Sequence, residues 1–194
     1  PDGRGVADLL HRLDVGQRLA GGRQRWLVTL GRSPSGASVR LPAARVDVLI
    51  AGGSGSGKSF VAGLIAEQLI LLGYVICVLD PEGDHAPLGR LPNAVTLGGR
   101  DRLPAVEDLA QIFERRRAAT GLPHWLVIDE AHHSLGGGGE AARIDPRLKG
   151  HCLVTHRPGE LAGRVCHDAD YALLVAGRGD GDLTCTPALA AALR

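Results

Sequence analysis

The sequence has 194 residues, with 22 basic and 21 acidic side chains, a net charge of +1 and 44% hydrophobic residues. This length is sufficient for one domain with a real core, and the balanced charge gives no sign of a nucleic-acid partner. Only two Trp, two Tyr and two Phe occur, which argues against a base-stacking platform of the single-strand-binding type. No apolar run approaches the roughly 20 residues of a membrane-spanning helix.

The sequence begins at Pro1 and contains no Met and no signal peptide, so we expect a fragment or trimmed chain. Four cysteines occur, none of them in a C-x-x-C pair: Cys77, Cys152, Cys166 and Cys185. They are expected to be small buried hydrophobes in the reducing environment of the cytoplasm. The pairs at 151–152 and 166–167 combine His with Cys and would suit zinc. Adjacent residues of a strand face opposite sides, however, so packing is the favoured interpretation.

Residues 1–45 are rich in Arg and Gly and are predicted to lead into a single domain that spans 46–194. Within this lead-in, 25–31 and 37–41 are predicted to be the two strands of a β-hairpin, with a turn at 34–36. A hairpin alone is only marginally stable, so we expect it to accompany the core. The arginines of the lead-in are interpreted as a solvated face, with phosphate contacts as the alternative.

Residues 52–59 read Gly-Gly-Ser-Gly-Ser-Gly-Lys-Ser and fit the phosphate-binding P-loop pattern G-x-x-x-x-G-K-[ST]. The apolar segment 46–51 predicts a buried strand before the loop. The segment 60–72 predicts a helix after it, because apolar residues recur there at helical spacing. These residues are Val61, Leu64, Ile65, Leu69 and Leu72. A strand, a glycine loop and a helix form the context that the motif needs, which a plain flexible Gly/Ser loop does not explain.

Each residue type in this loop has a chemical reason. Glycines let successive N–H groups point at phosphate oxygens, and the start of the helix adds its positive end. Lys58 is expected to reach the β- and γ-phosphates of ATP, and the Ser59 hydroxyl to bind Mg²⁺. Lys58 and Lys149 are the only lysines in the sequence, and a compact ammonium suits a phosphate. The predicted nucleotide-binding residues are Gly53, Ser54, Gly55, Ser56, Gly57, Lys58, Ser59 and Phe60.

Further apolar segments predict additional strands, and the predicted strands alternate with helices. The predicted strands are 74–79, 93–97, 125–128, 151–155, 171–176 and 182–186, and the predicted helices are 104–119 and 187–194. This alternation predicts an α/β fold with a mainly parallel sheet between layers of helices. The segment 80–84 reads Asp-Pro-Glu-Gly-Asp at the carboxyl end of a strand. It is either functional, because ligands gather at that edge, or a plain turn.

Two carboxylates, Asp129 and Glu130, follow the apolar segment 125–128. This is the Walker B pattern, in which Asp129 would hold Mg²⁺ opposite Ser59. Glu130 has the right type and place to polarise the attacking water as a general base. Two adjacent carboxylates after an apolar strand, downstream of a P-loop, form a strong joint signal.

The residues after these carboxylates carry weaker signals. His132 and His133 are interpreted as loop residues, with contact to a phosphate or a neighbouring molecule as the alternative. Thr155 and His156 end the strand 151–155 and are predicted to sense the γ-phosphate, since that strand end would lie close to Mg²⁺ and the phosphates. The glycine run 136–139 is expected to be flexible and exposed to solvent.

These motifs, in this order, resemble the HerA/FtsK superfamily over about residues 40–176. The segments that carry the resemblance are the P-loop, Asp80-Pro81-Glu82-Gly83-Asp84, Ile128-Asp129-Glu130-Ala131-His132 and Thr155-His156-Arg157-Pro158. The resemblance implies a three-layer, RecA-like P-loop NTPase core. It also implies that Lys58 and Ser59 bind Mg-ATP, that Asp129 binds the metal and that Glu130 is the catalytic base.

The resemblance also implies partners. Members of this superfamily include DNA-pumping and conjugative-transfer ATPases, so DNA is a possible partner, and members usually form hexameric homo-oligomeric rings with an arginine finger from the neighbour. Arg157, Arg164 and Arg178 are candidates for that finger. The sequence departs from the family at His156, where a Gln commonly precedes Arg-Pro.

Parts of the sequence also fit other classes of nucleotide-binding protein. Residues 129–132 spell the DEAH box of helicases, but those enzymes need a second RecA-like domain. Residues 80–83 fit the D-x-x-G of GTPases, but no N-K-x-D motif follows. The main expectation is therefore ATP hydrolysis coupled to DNA translocation or processing. The alternatives are an ATP-switched regulatory or assembly module with slow turnover, and a small-molecule kinase that would use the arginines at 115–117.

Overall fold

A computed structural model of the chain describes residues 26–98, 124–135, 149–161 and 168–176, together with Arg115 and Ala118, which are both helical. The predicted strand 182–186, the predicted helix 187–194, most of the predicted helix 104–119 and the glycine run lie outside these residues. Among the described residues, no helix combines the length and the apolar character needed to cross a bilayer.

The described elements follow the predicted order closely. They are β1 Leu27–Arg32, β2 Ser38–Pro42, β3 Val48–Gly52, α1 Lys58–Leu71, β4 Val75–Asp80, a 3-10 helix Ala86–Arg90, β5 Ala94–Gly98, β6 His124–Ile128, α2 Ala131–Leu135, β7 His151–Thr155, a second 3-10 helix Pro158–Glu160 and β8 Tyr171–Val175. Each strand that was predicted within the described residues is present, with bounds that differ by no more than a few residues.

Six strands form one sheet in the order β5-β4-β6-β7-β3-β8, and every described pairing in it is parallel. The mainly parallel sheet predicted from the sequence is therefore confirmed. The strands β3, β6 and β7 are buried along their full length, as expected for parallel strands covered on both faces. Strand β7 lies between β3 and β6, so one strand separates the P-loop from the acidic pair.

Two apolar clusters, one on each face of the sheet, form the core. Strand β3 shows the division, because Val48 and Ile50 belong to one cluster whereas Leu49 and Ala51 belong to the other. This alternation follows from the period of two in a strand, which sends successive side chains to opposite faces. The first cluster includes residues of α1 and of the hairpin, and the second includes residues of α2. The layered α/β architecture is thus present.

Helix α1 packs a face of small and branched residues on the sheet. Its buried apolar residues are Ala62, Ile65, Ala66, Leu69 and Ile70. The sequence periodicity identified only Ile65 and Leu69 of this set, while the remaining residues of the predicted stripe are only partly buried. The helix is apolar on much of its circumference, so alanines that allow close approach to the sheet decide which face is buried.

The hairpin of β1 and β2 is antiparallel, with an irregularity between Thr29 and Gly31, and its predicted turn is present. It packs against α1, because Val28 and Leu41 join the same apolar cluster as that helix. The Gln68 side chain of α1 accepts a hydrogen bond from the Thr29 N–H and donates one to the Thr29 carbonyl, both at 2.7 Å. The division of the chain at residue 45 stays a prediction.

A polar cluster joins the amino ends of β3, β7 and β8. Asp47 Oδ1 accepts hydrogen bonds from the backbone N–H groups of Gly150 and His151 at 3.0 and 3.1 Å. The Lys149 ammonium lies 2.9 Å from Asp47 Oδ2 and 3.0 Å from Asp170 Oδ2. The Asp47 N–H donates to Asp170 at 2.8 Å. The chain's second lysine therefore has a structural partner at the edge of the sheet that lies opposite the P-loop.

The cysteines in the described residues are buried and free. Burial raises the pKa of Cys77 and of Cys152 to about 12 in each case, so both thiols are unreactive near neutral pH. His151 places Nδ1 3.1 Å from Asp47 Oδ1, whereas Cys152 joins the apolar core. The packing interpretation is confirmed for these cysteines, and the pair 166–167 and Cys185 lie outside the described residues.

Candidate functional site

The carboxyl ends of four neighbouring strands meet at one edge of the sheet. Strand β3 leads into the P-loop, β4 into the acidic turn at 80–84, β6 into Asp129 and Glu130, and β7 into His156. Ligands of open parallel sheets bind at this edge. The sheet therefore brings the separate sequence motifs to a common place.

The P-loop fits closely against the end of β8. A side chain at Gly52 would collide with the Val175 carbonyl oxygen and with Ser56 Oγ, so only glycine fits there. Gly55 and Gly57 have φ values of 71° and 98°, in the left-handed region where side chains are strained. Ser56 Oγ is buried and has no hydrogen-bond partner among the described residues. The glycines therefore allow the backbone of the loop to lie close to a ligand at the carboxyl end of the sheet.

Lys58 is the first residue of α1, and only 6% of it is exposed. Its ammonium donates a hydrogen bond of 2.7 Å to the Gly53 carbonyl oxygen, across the loop. A buried ammonium needs such a partner, and a phosphate oxygen could replace the carbonyl as the acceptor. The next aromatic residue, Phe60, is 77% exposed and lines a cavity of about 350 Å³ beside α1.

The Ser59 hydroxyl lies close enough to the Asp129 carboxylate to help lower the pKa of that group. Asp129 is only 4% exposed. Burial alone would raise the pKa of this carboxyl, but hydrogen bonds from His85, the Glu130 N–H and Ser59 outweigh it and hold the pKa below its usual range. A hydroxyl and an ionised carboxylate in contact are the oxygen ligands that Mg²⁺ prefers. The two predicted metal ligands, from distant parts of the sequence, are thus adjacent.

His85 is a site residue that the motifs did not indicate. Its Nε2 lies 3.0 Å from Asp129 Oδ2, and the ring is 4% exposed. Burial tends to lower the pKa of His85, but the hydrogen bond with Asp129 and that carboxylate's charge raise it above its usual value. The ring therefore fixes the orientation of the Asp129 carboxylate from the side of β4.

The acidic turn presents His85 to Asp129. Asp80 is 2% exposed, and its Oδ1 accepts hydrogen bonds from the N–H groups of Gly83 at 2.8 Å and Asp84 at 3.1 Å. Its Oδ2 accepts from the His85 N–H at 2.8 Å. The segment 80–84 was predicted to be either functional or a plain turn. For Asp80 the turn interpretation holds, because its carboxylate accepts hydrogen bonds from the backbone of the same segment.

Glu130 lies between two histidines. Its Oε2 is 2.8 Å from His156 Nδ1 and 3.2 Å from His132 Nδ1, and its backbone has a φ of 47°. A carboxylate only accepts hydrogen bonds, so His156 Nδ1 donates to it, whereas His132 Nδ1 forms its hydrogen bond with Thr155 Oγ1. A left-handed φ is uncommon for a residue other than glycine, and strained residues of this kind cluster at functional sites. The carboxylate is thus held in a defined position.

His132 does not have the loop role that the sequence suggested. It lies on the short helix α2, is buried, and places Nδ1 3.1 Å from Thr155 Oγ1. Burial and, to a smaller extent, the neighbouring His133 lower its pKa, so the ring is mostly neutral at neutral pH. The loop prediction was wrong because the helix at 131–135 is too short to show a helical period in the sequence.

Thr155 and His156 end β7 between the P-loop and the acidic pair. Thr155 is fully buried, and its hydroxyl accepts a hydrogen bond of 2.9 Å from the Arg157 N–H. His156 Nε2 accepts a hydrogen bond of 3.0 Å from Arg157 Nε. Of the three arginines considered as a finger, only Arg157 lies in the described residues. Its side chain is exposed and also contacts Glu160.

The fold and the arrangement of the P-loop and acidic pair define the class of a P-loop ATPase. The sequence model of the family described as "Helicase HerA, central domain" matches residues 31–150, well over half of the chain. The chain belongs to this family, which confirms the resemblance found from the motifs. No curated protein sequence matches the chain significantly.

Solved structures with the same fold are distant in sequence. The chain is similar to ATPases 2 and 3 of EccC from Thermomonospora curvata, with 14% identity and a TM-score of 0.58 over 81% of this chain and 35% of that chain. It is similar to the genome packaging NTPase B204 of Sulfolobus turreted icosahedral virus 2 in complex with ATP-gammaS, with 18% identity and a TM-score of 0.56 over 79% and 87% of the two chains.

A third similar structure is the pCW3 conjugation coupling protein TcpA with ATPgS, with 18% identity and a TM-score of 0.52 over 81% of this chain and 55% of that chain. The chain therefore spans about a third of the EccC chain that holds ATPases 2 and 3, and about half of the TcpA chain. At these identities the structural likeness concerns the fold.

Proposed function

We propose that the chain binds Mg-ATP between the P-loop and the acidic pair and hydrolyses it with Glu130 as the general base. The observation that carries this proposal is the approach of the Ser59 hydroxyl to the Asp129 carboxylate, whose pKa it helps to lower. It joins the start of α1 to the end of β6 across the intervening strand. The metal ligands and the base then face the same space above the sheet.

In this mechanism Lys58 exchanges its bond to the Gly53 carbonyl for the β- and γ-phosphates. Ser59 and Asp129 would hold Mg²⁺, which neutralises phosphate charge when it is bound. His85 keeps the Asp129 carboxylate oriented. The loop's backbone N–H groups and the positive end of α1 add further attraction for phosphate oxygens.

Glu130 would take a proton from the attacking water at its carboxylate. His156 and His132 contact Oε2 of Glu130, so the other carboxylate oxygen is the one that we assign to the water. We also assign the sensing of the γ-phosphate to Thr155 and His156, because they end the strand between the P-loop and the acidic pair. A change at His156 would then reach Glu130 directly through their hydrogen bond.

We further propose that hydrolysis drives movement on DNA, in a homo-oligomeric ring whose size is taken to be six, within the cytoplasm. The family's description as a helicase domain and the names of two similar structures, a genome packaging NTPase and a conjugation coupling protein, support this proposal. The exposed Arg157 is the described candidate for contact with a neighbour's nucleotide.

A hydrolysis assay without DNA, with single-stranded DNA and with double-stranded DNA tests the proposal. We expect Mg-dependent release of phosphate that DNA stimulates, with DNA binding that weakens steeply as salt rises. Lys58→Ala provides the background rate. Hydrolysis that no polynucleotide stimulates would remove the DNA part of the proposal, and a wild-type rate equal to that of Lys58→Ala would remove all of it.

A second candidate function is an ATP-switched assembly module with slow turnover. The observation that favours it is the engagement of Glu130 by two histidines, which restrains the base. This function predicts that a non-hydrolysable ATP analogue changes the oligomeric state and that Glu130→Gln still responds to ATP. Size-exclusion chromatography with light scattering would measure both, and an unchanged mass with and without the analogue would rule this candidate out.

A further inference from the structure

The structure places three side chains with metal-binding atoms around a common point, next to the acidic pair. Glu130, His132 and His156 each offer one such atom, and these atoms all lie within 4.8 Å of one another. We propose that these three residues form a site for a transition-metal dication of the Zn²⁺ class. This site is distinct from the Mg²⁺ site that we assign to Ser59 and Asp129.

The chemistry of the ligands separates the two sites. Two imidazoles and one carboxylate form a set that Zn²⁺ and its first-row neighbours bind readily, whereas Mg²⁺ prefers oxygen ligands alone. The hydroxyl of Ser59 and the carboxylate of Asp129 provide only oxygen. Three protein ligands leave a fourth tetrahedral position for water, as in zinc sites that are not fully closed.

The distances suit a small ion. In a tetrahedral zinc site with bonds of roughly 2.0–2.1 Å, the ligand atoms are roughly 3.3–3.5 Å apart. Glu130 Oε2 is already 2.8 Å from His156 Nδ1 and 3.2 Å from His132 Nδ1. These two distances are within about 0.7 Å of that spacing, and all three ligand atoms lie within 4.8 Å of one another, so side-chain adjustments can bring them around one ion.

The site is open on one side and closed on the other. The side chain of His132 is 2% exposed, that of Glu130 is 15% exposed and that of His156 is 28% exposed. His132 therefore forms the buried side of the site, and His156 lies on the side from which an ion can enter. The rings of His132 and His156 meet edge to face with centroids 4.6 Å apart, which holds both ligands in place before binding.

Both histidines can present a lone pair to the ion when their hydrogens move to the other ring nitrogen. In His132 that nitrogen, Nε2, is buried and has no hydrogen-bond partner among the described residues. In His156 it accepts a hydrogen bond from Arg157 Nε. Because the Arg157 side chain is 55% exposed, it can turn into solvent and leave His156 Nε2 free to carry the hydrogen.

An ion bound to the Glu130 carboxylate would prevent this residue from accepting a proton as the general base. We therefore expect Zn²⁺ to slow ATP hydrolysis while leaving nucleotide binding at the P-loop intact. This consequence rests on the proposed function, whereas the binding of the ion does not. A direct binding measurement therefore comes first.

Isothermal titration of the chain with Zn²⁺, in excess Mg²⁺ and without nucleotide, tests the site. We expect one equivalent to bind, and His156→Gln and Glu130→Gln to weaken that binding at least about 10-fold, which even the loss of an outer-shell partner can cost. His133→Gln is the matched control. It removes an exposed imidazole whose ring lies 4.2 Å from that of His132 but which does not belong to the site, so its affinity should equal that of the wild type.

Substitution by Co²⁺ identifies the ligands by absorption. Nitrogen and oxygen ligands give d–d bands without a thiolate-to-metal charge-transfer band, which excludes the cysteines. The proposal is overturned by an absence of Zn²⁺ binding, by equal affinity in His156→Gln and His133→Gln, or by a charge-transfer band. If the chain binds Zn²⁺ as expected but shows no Lys58-dependent hydrolysis, the metal site stands and the proposed function fails.

Discussion

The two lysines of the chain lie at opposite edges of the sheet, which allows the role of the P-loop lysine to be tested. Lys58 is buried against the Gly53 carbonyl at the functional edge of the sheet, and Lys149 is paired with Asp47 and Asp170 at the opposite edge. They have the same charge and length, so a substitution at each separates phosphate binding from general loss of charge.

Lys58→Ala is expected to weaken ATP binding by roughly 10- to 100-fold, because a charge-assisted hydrogen bond contributes about 1.5–3 kcal/mol. Calorimetric titration with an ATP analogue measures this affinity. Lys149→Ala should keep the wild-type affinity within about twofold. Equal losses in the two variants would contradict a phosphate contact by Lys58.

Glu130→Gln is expected to bind ATP normally but to hydrolyse it ~10²-fold or more slowly, because the amide cannot accept the proton of water. Single-turnover hydrolysis separates this effect from product release. Glu67→Gln, at an exposed position of α1, is the control and should retain the parental rate. Normal turnover by Glu130→Gln would show that another group is the base.

Residues within motifs were predictable, and residues outside them were not. The contact between Ser59 and Asp129 was expected, because each follows a strand whose carboxyl end meets the same edge. His85 lies 44 positions before Asp129, and their contact depends on the pairing of β4 with β6. The two histidines on Glu130 likewise come from separate elements. Such contacts have no local signal in the sequence, although His132 lies only two positions after Glu130, which partly indicated that the two side chains could meet.

At the scale of elements, the acidic turn after β4 is held by a single carboxylate. Asp80 accepts three backbone hydrogen bonds inside the turn and is almost fully buried. The turn therefore determines where His85 lies, and through it the orientation of Asp129.

Asp80→Ala is expected to lower the free energy of unfolding by about 2–3 kcal/mol, because hydrogen bonds to a charged acceptor are lost and the donors remain partly buried. Urea unfolding followed by circular dichroism measures the change. Glu82→Ala, an exposed acidic residue of the same turn, should change stability by no more than about 0.5 kcal/mol. Similar losses in both variants would mean that the turn tolerates the absence of the Asp80 carboxylate.

Strands were easier to predict than the buried face of the helix. The strands of the parallel sheet are short and apolar, and the central ones are buried on both sides, so a continuous apolar run identifies them. Helix α1 is apolar on much of its surface, so periodicity alone could not distinguish the sheet-facing alanines Ala62 and Ala66 from the partly buried Val61 and Leu72. Close packing on the sheet makes that choice, and it involves residues far away in the sequence.

At the scale of the whole molecule, the polar cluster around Asp47 fastens three strands at the edge opposite the nucleotide site. Burial raises the pKa of Asp47, but the hydrogen bonds from His151 and Lys149 and the charge of His151 outweigh it, so the pKa is below its usual range. The folded chain therefore binds a proton at Asp47 less readily than the unfolded chain does. The cluster stabilises the fold above the usual pKa of an aspartate, and its contribution is lost as pH falls through the lower folded pKa.

Asp47→Asn is expected to lower the free energy of unfolding by about 1–3 kcal/mol near neutral pH. The difference between the two proteins should begin to shrink below about pH 4, because the unfolded wild-type chain then binds a proton at Asp47, and it should vanish only below the lowered folded pKa. Urea unfolding at about pH 7, 5 and 3.5 measures it. A difference that stays constant over this range would show that the charge of Asp47 does not contribute.

The class of fold was predictable for the whole molecule, but the order of its strands was not. Alternating strands and helices indicated a parallel α/β sheet, and both the sheet and the HerA central-domain family confirm that prediction. The order β5-β4-β6-β7-β3-β8 arises from pairings between distant segments, which no local pattern encodes. The position of β7 between β3 and β6 was therefore not predicted, although the end of that strand, with Thr155 and His156, was expected close to the phosphates.

Helix α1 begins at Lys58 and carries Gln68, whose side chain forms two hydrogen bonds with the backbone of the hairpin. A helix is stiff over this span of roughly 15 Å, at 1.5 Å per residue. If Lys58 binds phosphate as proposed, a shift of this end of α1 would also shift the hairpin, because Gln68 ties the helix to Thr29. The bound state of the nucleotide would then be reported on a surface about 15 Å away from it.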